Sequence, residues 1–201
     1  MSVIKVESFA AGTWVGPGDS ATPLHNAFNG ALIGHAGGAV LDVAAMRDYA
    51  IDKGGPALRA MTFHDRARML KALAQYLGER KEALYELSYM TGATRGDSWI
   101  AIDGGIGTVF VFASKGRREM PDAHVYLDGA TEALSRKGSF MGQHVCTPLQ
   151  GVAVHINAFN FPVCGMLEKL APTLLAGVPA IIKPATATGY LAEAAFRMIM
   201  Y

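Results

Sequence analysis

The chain has 201 residues, of which 51% are hydrophobic and 17% are charged, and its formal net charge is +1. This apolar content is sufficient for a packed core and excludes an intrinsically disordered chain. The near-zero net charge gives no electrostatic reason to expect nucleic acid or an anionic membrane surface as a partner, so we predict small-molecule or protein partners.

Cysteine usage and hydropathy narrow the class further. The two cysteines, Cys146 and Cys164, provide neither a disulfide framework nor the paired Cys/His spacing that is typical of zinc. The first residues lack the long apolar segment of a signal peptide, and no window reaches the roughly 18 uninterrupted apolar residues of a membrane span. We therefore predict a cytoplasmic protein with no metal site and no membrane partner.

The first third of the chain predicts short strands followed by a helix. Residues 1–40 combine brief apolar runs with glycine and proline, a pattern typical of hairpin-like strands. Residues 42–53 carry apolar side chains at helical spacing, and we expect the helix to end at the Gly54-Gly55-Pro56 break.

A strongly helical stretch follows. Thr62, with Asp65 three positions later, resembles a capping box and predicts the start of a helix. The leucines share one face, and Arg66 falls on the opposite, polar face. We expect a second helix over 81–90, with Gly92 as its C-terminal cap.

The segment 97–113 has helical periodicity but contains Gly104, Gly105 and Gly107. Each glycine inside a helix costs about 1 kcal/mol relative to alanine, so three of them need a reason. A phosphate loop is a poor match, because a preceding strand and the G-x-G-x-x-G spacing are both absent. We predict close packing against another helix or a wall of a substrate channel.

Residues 120–150 alternate between apolar and polar side chains, which predicts two antiparallel strands. A two-stranded ribbon is only marginally stable alone, so we expect it to pack on another chain or on residues outside this one.

The segment 151–188 reads as strand, turn, helix, strand and turn. Apolar runs at 152–156 and 178–182 predict strands, and Pro162 suits the first turn of the helix between them. A right-handed βαβ unit follows, and with it an α/β fold. The helical pattern over 190–201 has no stop signal, so we expect more sheet after it.

The polar turns at 157–160 and 183–186 lie where ligands of open parallel sheets bind, beyond the carboxyl ends of the strands. Asn160 has an amide that can donate to a developing oxyanion, although Asn is also a preferred helix cap. Lys183 can reach a ribose hydroxyl or phosphate, with Thr186 and Thr188 as neutral donors beside it. Ordinary βα loops remain the alternative.

Other reactive side chains in this segment favour structural roles. Cys164 lies in the first turn of the helix, where the helix dipole favours a thiolate, but it has no Cys/His signature around it and is predicted to be a buried hydrophobe. His155 is predicted to be a satisfied core residue. Glu168 and Lys169 are expected to pair or to face solvent.

The motif NAFNFP at 157–162, followed by IIKPA at 181–185, resembles the aldehyde dehydrogenase superfamily, and the resemblance extends over essentially the whole chain. GPALRAMTF at 55–63 and TGATRGDSW at 91–99 are similar in particular to members from phenylacetate degradation and from the coenzyme A-dependent benzoate pathway. The implied fold is an aldehyde dehydrogenase-like α/β fold, with part of a Rossmann-type parallel sheet and an antiparallel oligomerisation ribbon. The implied domains are an N-terminal helical part of the cofactor-binding domain (1–119), the ribbon (120–150) and the first βαβ part of that domain (151–201).

The resemblance also implies roles for the first turn. Asn160 donates to the oxyanion of the thiohemiacetal, and Phe161 lines the substrate tunnel. The backbone of Asn157, Ala158 and Phe159 follows the nicotinamide cofactor.

On the second turn, the resemblance places Lys183 and Ala185 in the cofactor site, with Lys183 at the adenosine ribose. Thr186 falls where NAD-preferring members carry a glutamate that grips both ribose hydroxyls. A carboxylate there would repel a 2′-phosphate, whereas threonine can donate to it and leaves Lys183 free to pair with it. We therefore predict use of NADP, or at least tolerance of it alongside NAD.

Departures from the family pattern limit what this chain does alone. The common I-P-W-N-F-P reads NAFNFP here, and Cys164 does not match the family nucleophile. The nucleophile, the general-base glutamate and a second glycine motif are expected after Tyr201, so the chain alone is predicted to be inactive. The intact protein is expected to oxidise a semialdehyde, such as an acyl-CoA-linked one, as a homodimer or higher homo-oligomer. The alternative is a non-catalytic product that acts only in oligomer or nucleotide binding.

Overall fold

The computed structural model describes residues 3–200 and begins with five short strands. These are β1 (Ile4–Val6), β2 (Ser8–Ala10), β3 (Thr13–Val15), β4 (Thr22–His25) and β5 (Leu32–Ala36). β5 pairs in parallel with β1 and antiparallel with β4, and β2 and β3 form a separate hairpin. The predicted short strands are confirmed, and the first two residues of that prediction lie outside the described part.

The predicted helix stop at Gly54-Gly55 is wrong. α1 (Val43–Tyr49) continues through a π-helical segment (Ala50–Gly54) into α2 (Gly55–Arg59). Gly55 has right-handed helical angles, φ −60° and ψ −57°, so it does not take the left-handed conformation of a helix cap. Gly54 instead permits close packing, because a Cβ there would lie 3.0 Å from the Cβ of Pro179.

Two long antiparallel helices build the core. α3 (Phe63–Ser88) is one continuous helix, so the predicted division near residue 81 is wrong. The capping box of Thr62 and Asp65 is confirmed, and a 3₁₀ turn after α3 ends at Gly92 with φ 84°. α4 (Arg95–Arg118) returns alongside α3 and contains the predicted helix 97–113.

Arg66 is buried, which corrects its predicted place on the polar face of α3. Its guanidinium donates to the main-chain carbonyls of Leu175, Leu58 and Met61 over 2.6 to 3.0 Å. Its charged plane also lies 4.5 Å from the centre of the Phe63 ring. A rigid fork of N–H donors suits a place where helix ends present unpaired carbonyls, and helical periodicity alone does not reveal such a place.

The glycines of α4 divide into two kinds. A Cβ on Gly105 would lie 2.8 Å from the Cα of Cys164, so the predicted close helix packing is confirmed at this position. Gly104 and Gly107 have no atom within 4 Å of such a Cβ. Their predicted place beside a substrate channel stays a prediction.

The βαβ unit is confirmed. β8 (Ala153–Ile156) and β9 (Ala180–Lys183) pair in parallel, with Ile156 opposite Lys183, and α5 (Pro162–Leu175) connects them. α5 packs against α4 and α3, and the final helix, α6 (Gly189–Ile199), packs against α3 and α5. The outward side of β8 is exposed, with Val154 at 62% and Ile156 at 71% of full exposure.

The predicted ribbon is present as β6 (Tyr126–Ala133) and β7 (Met141–Cys146), which pair antiparallel. Most of its side chains are exposed, including several large apolar ones. The ribbon therefore contributes little to the buried core of this chain.

Candidate active site

Two turns meet at the carboxyl edge of the β8–β9 sheet. Because the strands are parallel, the residues after Ile156 and those after Lys183 emerge at the same edge. The N–H of Asn157 donates to the carbonyl of Lys183 over 3.1 Å and extends the sheet by one hydrogen bond. Further along, the hydroxyl of Thr188 donates to the carbonyl of Phe159 over 2.8 Å. The structure thus brings the turns 157–160 and 183–186 together, as the strand pattern predicted. Thr188, by contrast, is buried and donates its hydroxyl to the chain itself, so its predicted role as a donor to a ligand is wrong.

Asn160 lies exposed at the start of α5. The N-cap position of α5 belongs to Phe161, whose side chain makes no capping hydrogen bond. The preference of Asn for the N-cap position therefore does not explain Asn160. Its amide lies just before the N-terminus of a 14-residue helix, where the helix dipole favours negative charge.

Aromatic side chains stand on both sides of Asn160. Phe159 is 65% exposed and Phe161 is also exposed, in contrast to the buried Pro162 that follows them. Apolar rings beside a polar donor form the kind of surface that orients a small organic molecule.

The second turn presents positive charge and hydroxyl donors. Lys183 is exposed and its ammonium donates to the carbonyl of Pro184 over 3.3 Å. Ala185 is half-buried and Thr186 is exposed at the start of a 3₁₀ turn (Thr186–Thr188). The turn can therefore hold an anionic or hydroxyl-bearing group from one side.

Two polar side chains are buried where β8 leads into the first turn, those of His155 and Asn157. The Nε2 atom of His155 is 3.1 Å from the hydroxyl of Thr173, while among the described residues its Nδ1 atom has no hydrogen-bond partner. The prediction that His155 has all its hydrogen bonds in the core is therefore confirmed for Nε2 but not for Nδ1. Burial and the nearby ammonium of Lys169 lower the pKa of His155, so the ring is neutral at pH 7.

The side chain of Asn157 is unusual because, in the described part of the chain, it is buried without a hydrogen-bond partner. It is 5% exposed, and within residues 3–200 neither its amide oxygen nor its amide nitrogen is hydrogen-bonded. A Cβ on Gly165 would lie 4.0 Å from the Cγ of Asn157 and 3.8 Å from the ammonium of Lys169. The family resemblance implies a role only for the backbone of Asn157, and the sequence signal for its side chain is a polar residue at the end of an apolar strand.

Cys164 is not activated in this structure. It is half-buried in the first turn of α5, and burial and the carboxylate of Glu168 raise the pKa of its thiol, against an opposing effect of Lys169. Glu168 and Lys169 form an ion pair of 3.0 Å, one of the two arrangements expected. These contacts favour a structural role for the cysteine.

Within residues 3–200, no group of three or more His, Cys, Asp or Glu side chains is arranged to hold a metal ion. In that range no helix combines the length and apolar character that crossing a membrane requires.

Comparison with protein families matches residues 14–200 to the aldehyde dehydrogenase family. A curated relative, the 3,4-dehydroadipyl-CoA semialdehyde dehydrogenase of Aromatoleum evansii, is 38% identical over 191 residues. The aligned region covers 94% of this chain but only 37% of that relative.

Solved structures show the same fold. An aldehyde dehydrogenase from Physcomitrella patens, crystallised with succinate, superposes with a TM-score of 0.78 at 23% identity, over 99% of this chain and 40% of its own. An NAD-dependent benzaldehyde dehydrogenase from Corynebacterium glutamicum superposes with a TM-score of 0.77 at 21% identity, over 98% of this chain and 42% of its own. The chain therefore spans about two fifths of the length of each of these proteins and shares the fold of that part.

Proposed function

Because the chain belongs to the aldehyde dehydrogenase family, we propose that it forms part of an enzyme that oxidises a semialdehyde to the carboxylic acid with a nicotinamide cofactor. The observation that carries this proposal is the meeting of the turns 157–160 and 183–186 at one edge of the parallel sheet. The reaction needs a donor to the carbonyl oxygen and a place for the cofactor. Each turn supports one of these roles.

The turn 183–186 has the chemistry to hold the ribose end of the cofactor. An ammonium has three N–H donors, and Lys183 is exposed beyond the single carbonyl contact described above. We assign Lys183, Ala185 and Thr186 to this ribose site. When bound, the nicotinamide supplies the hydride acceptor of the reaction.

The backbone of Asn157, Ala158 and Phe159 is assigned to the nicotinamide half of the cofactor. Support comes from its position at the carboxyl edge, where the hydrogen bonds from Asn157 and Thr188 hold it beside the ribose turn.

NADP is the proposed cofactor, in preference to NAD. Residues 183–186 contain one lysine, one threonine and no carboxylate. A 2′-phosphate on the ribose therefore meets attraction from Lys183 and a hydroxyl donor at Thr186, with no opposing charge on this turn.

Asn160 is assigned the donor role in catalysis. Its exposed amide can donate to the carbonyl oxygen as negative charge develops, and the positive end of the α5 dipole acts in the same direction. Phe161 is assigned to the path of the aldehyde. Cys164 is given no part as a nucleophile, because its pKa is raised.

A coenzyme A-linked semialdehyde is the proposed substrate class. The support is the 38% identity to a relative named 3,4-dehydroadipyl-CoA semialdehyde dehydrogenase. Gly104 and Gly107 add to it, because a Cβ at either position would have no atom within 4 Å, and they lie one and two residues from the contact of Gly105 with Cys164 of α5. This part of the α4 surface therefore leaves room for a long acyl group.

The ribbon of β6 and β7 is proposed to bind a second copy of the chain. Leu127, Phe140, Met141 and Val145 are all at least half exposed. Apolar side chains on an isolated two-stranded ribbon gain stability only when another surface covers them.

One kinetic experiment tests the catalytic proposal in the intact polypeptide that contains this chain. Aldehyde-dependent reduction of the cofactor is followed while oxidised NADP and NAD are titrated in separate assays. We expect NADP to have the higher kcat/KM. Replacement of Asn160 by Ala should lower kcat by about 10²- to 10³-fold, the usual effect of removing one oxyanion donor.

Two results would contradict these assignments. A clear preference for NAD would refute the role given to Thr186, and full turnover by N160A would refute the donor role of Asn160. An intact wild-type protein that binds nucleotide but oxidises no semialdehyde would leave only a binding function.

A further inference from the structure

One side-chain hydrogen bond, donated by Thr188, connects the two turns of the candidate site. Thr188 has no role in the function proposed so far. The hydroxyl of Thr188 donates to the main-chain carbonyl of Phe159 over 2.8 Å, across 29 residues of sequence. Thr188 is 7% exposed, whereas residues 158–160 are all exposed. The outer part of the first turn is therefore held by this hydrogen bond and not by packing of its own side chains.

Helix capping would be the ordinary use of a threonine here. Thr188 is the N-cap residue of α6, a position where threonine is favoured because its hydroxyl accepts an N–H of the first helical turn. The side chain makes no such capping bond in this structure. Its φ of −124° and ψ of 14° also depart from the extended conformation typical of a capping residue. The stability of α6 therefore does not explain this hydroxyl.

The hydrogen bond acts on Asn160 through a single peptide unit. The carbonyl of Phe159 and the N–H of Asn160 belong to the same planar group, and no peptide bond among the described residues is cis. In a trans peptide the carbonyl and the N–H point in opposite directions. Holding the carbonyl toward Thr188 therefore sets the orientation of the Asn160 N–H and restricts the φ torsion of Asn160, one of the backbone torsions that orient its side chain.

The same residue belongs to the cofactor turn. Thr188 closes the 3₁₀ turn that begins at Thr186, and its own N–H donates to the carbonyl of Ala185 over 3.3 Å. A movement of residues 185–188 is thus transmitted to the Phe159 carbonyl through one hydroxyl.

We propose that Thr188 is a positioning residue for Asn160: its hydroxyl holds the peptide between Phe159 and Asn160 in the orientation that presents the Asn160 amide to the reacting carbonyl. This inference rests on the proposed aldehyde oxidation and on the donor role of Asn160. It adds that the ribose turn and the oxyanion donor are mechanically connected.

The test compares T188V with T188S in the intact polypeptide. Valine matches the shape of threonine without its hydroxyl, and serine keeps the hydroxyl. Loss of one neutral hydrogen bond corresponds to about a five- to tenfold effect, so we expect T188V to lower kcat by that factor at saturating aldehyde and cofactor. Both KM values should stay within about twofold, and T188S should restore the wild-type kcat.

A matched control separates positioning from general loosening. Thr173 also uses its hydroxyl within the βαβ unit, at 3.1 Å from the Nε2 atom of His155, and within residues 3–200 its side chain forms no hydrogen bond to either turn. T173V should therefore keep the wild-type kcat. In an N160A background, T188V should have no further effect on kcat, because its action passes through Asn160.

Several outcomes would overturn the inference. These are an unchanged kcat in T188V, a T188S protein as impaired as T188V, a T173V protein with the same loss, or an additive loss in the N160A background. If T188V does not fold, T188A serves for the same comparisons. A wild-type protein without aldehyde oxidation refutes the proposed function itself, and is recognised before any variant is measured.

Discussion

The helical hairpin of α3 and α4 and the βαβ unit beside it differ in how much of their apolar surface is buried. Leu70, Leu77 and Leu84 on α3 are fully buried, and Ile102 on α4 is too. On β8, by contrast, alternate residues are covered and exposed: His155 faces α5, while Val154 and Ile156 are open. The hairpin buries one apolar face against α5 and α6, although α4 also leaves Trp99, Ile100 and Val111 at least half exposed. The apolar residues on the outward face of β8, by contrast, are all left open.

The largest expected effect tests this contrast directly. Leu77→Ala removes methyl groups from a closed core and should lower the free energy of unfolding by about 3 kcal/mol. Val154→Ala removes similar apolar surface from the open face of β8 and should change it by less than about 0.5 kcal/mol. Urea denaturation of the two variants, followed by circular dichroism, measures both. Equal losses would mean that the face of β8 is already covered in solution.

A second pair sharpens the comparison at the contact between the hairpin and α5. Gly105→Ala places a Cβ 2.8 Å from the Cα of Cys164, and backbone cannot yield cheaply, so we expect a loss of about 1–3 kcal/mol. Gly104→Ala meets open space on the same helix and should gain about 0.5–1 kcal/mol from the better helix propensity of alanine. The two melting temperatures should therefore move in opposite directions. A gain in both variants would show that α4 and α5 are further apart than in this structure.

The smallest expected effect is a pH dependence within the hairpin. Partial burial by itself would raise the pKa of Asp103, but hydrogen bonds from Lys81 and Tyr85 outweigh it and hold the pKa below its ordinary value of 3.8. A carboxyl whose pKa is lowered by folding stabilises the protein above its unfolded pKa, and this contribution is lost as the pH falls through the folded pKa.

Thermal melts from pH 7 to pH 3 measure that contribution. We expect Asp103→Asn to be less stable than the wild type at pH 7, with a difference that narrows below pH 4. A gap that stays constant with pH would show that the ionised carboxylate does not stabilise the hairpin.

Most elements of the fold could be predicted from local patterns. The Thr62 and Asp65 capping box, the βαβ unit and the ribbon all follow from residues close together in the chain, and all are present. The errors have a common cause. Gly54 and Gly55 break most helices by intrinsic preference, but here both are helical, and Gly54 lies where a Cβ would be 3.0 Å from the Cβ of Pro179. The continuous α3 reflects the same dominance of packing over local signals.

The position of the candidate site can be predicted from the sequence, but the hydrogen bonds and the burial of its side chains cannot. Parallel strands of known direction place Asn160, Lys183 and Thr186 at one edge, because the carboxyl ends of such strands coincide. The hydrogen bond between Thr188 and Phe159, and the buried amide of Asn157, depend on distances between segments that the pattern leaves open.

Local patterns in the sequence predict the type and order of most helices and strands, the edge of the sheet that carries the polar turns, and the family that the chain resembles. These features depend on periodicity, on the preferences of residues at helix ends, and on motifs of contiguous residues. Three features are visible only in the folded chain: Arg66 is buried among three carbonyls, Gly105 but not Gly104 serves a helix contact, and Thr188 holds the turn before Asn160. Each of these depends on partners distant in sequence, and a hydrogen bond or a close contact exists only when the fold brings both groups within about 3 to 4 Å.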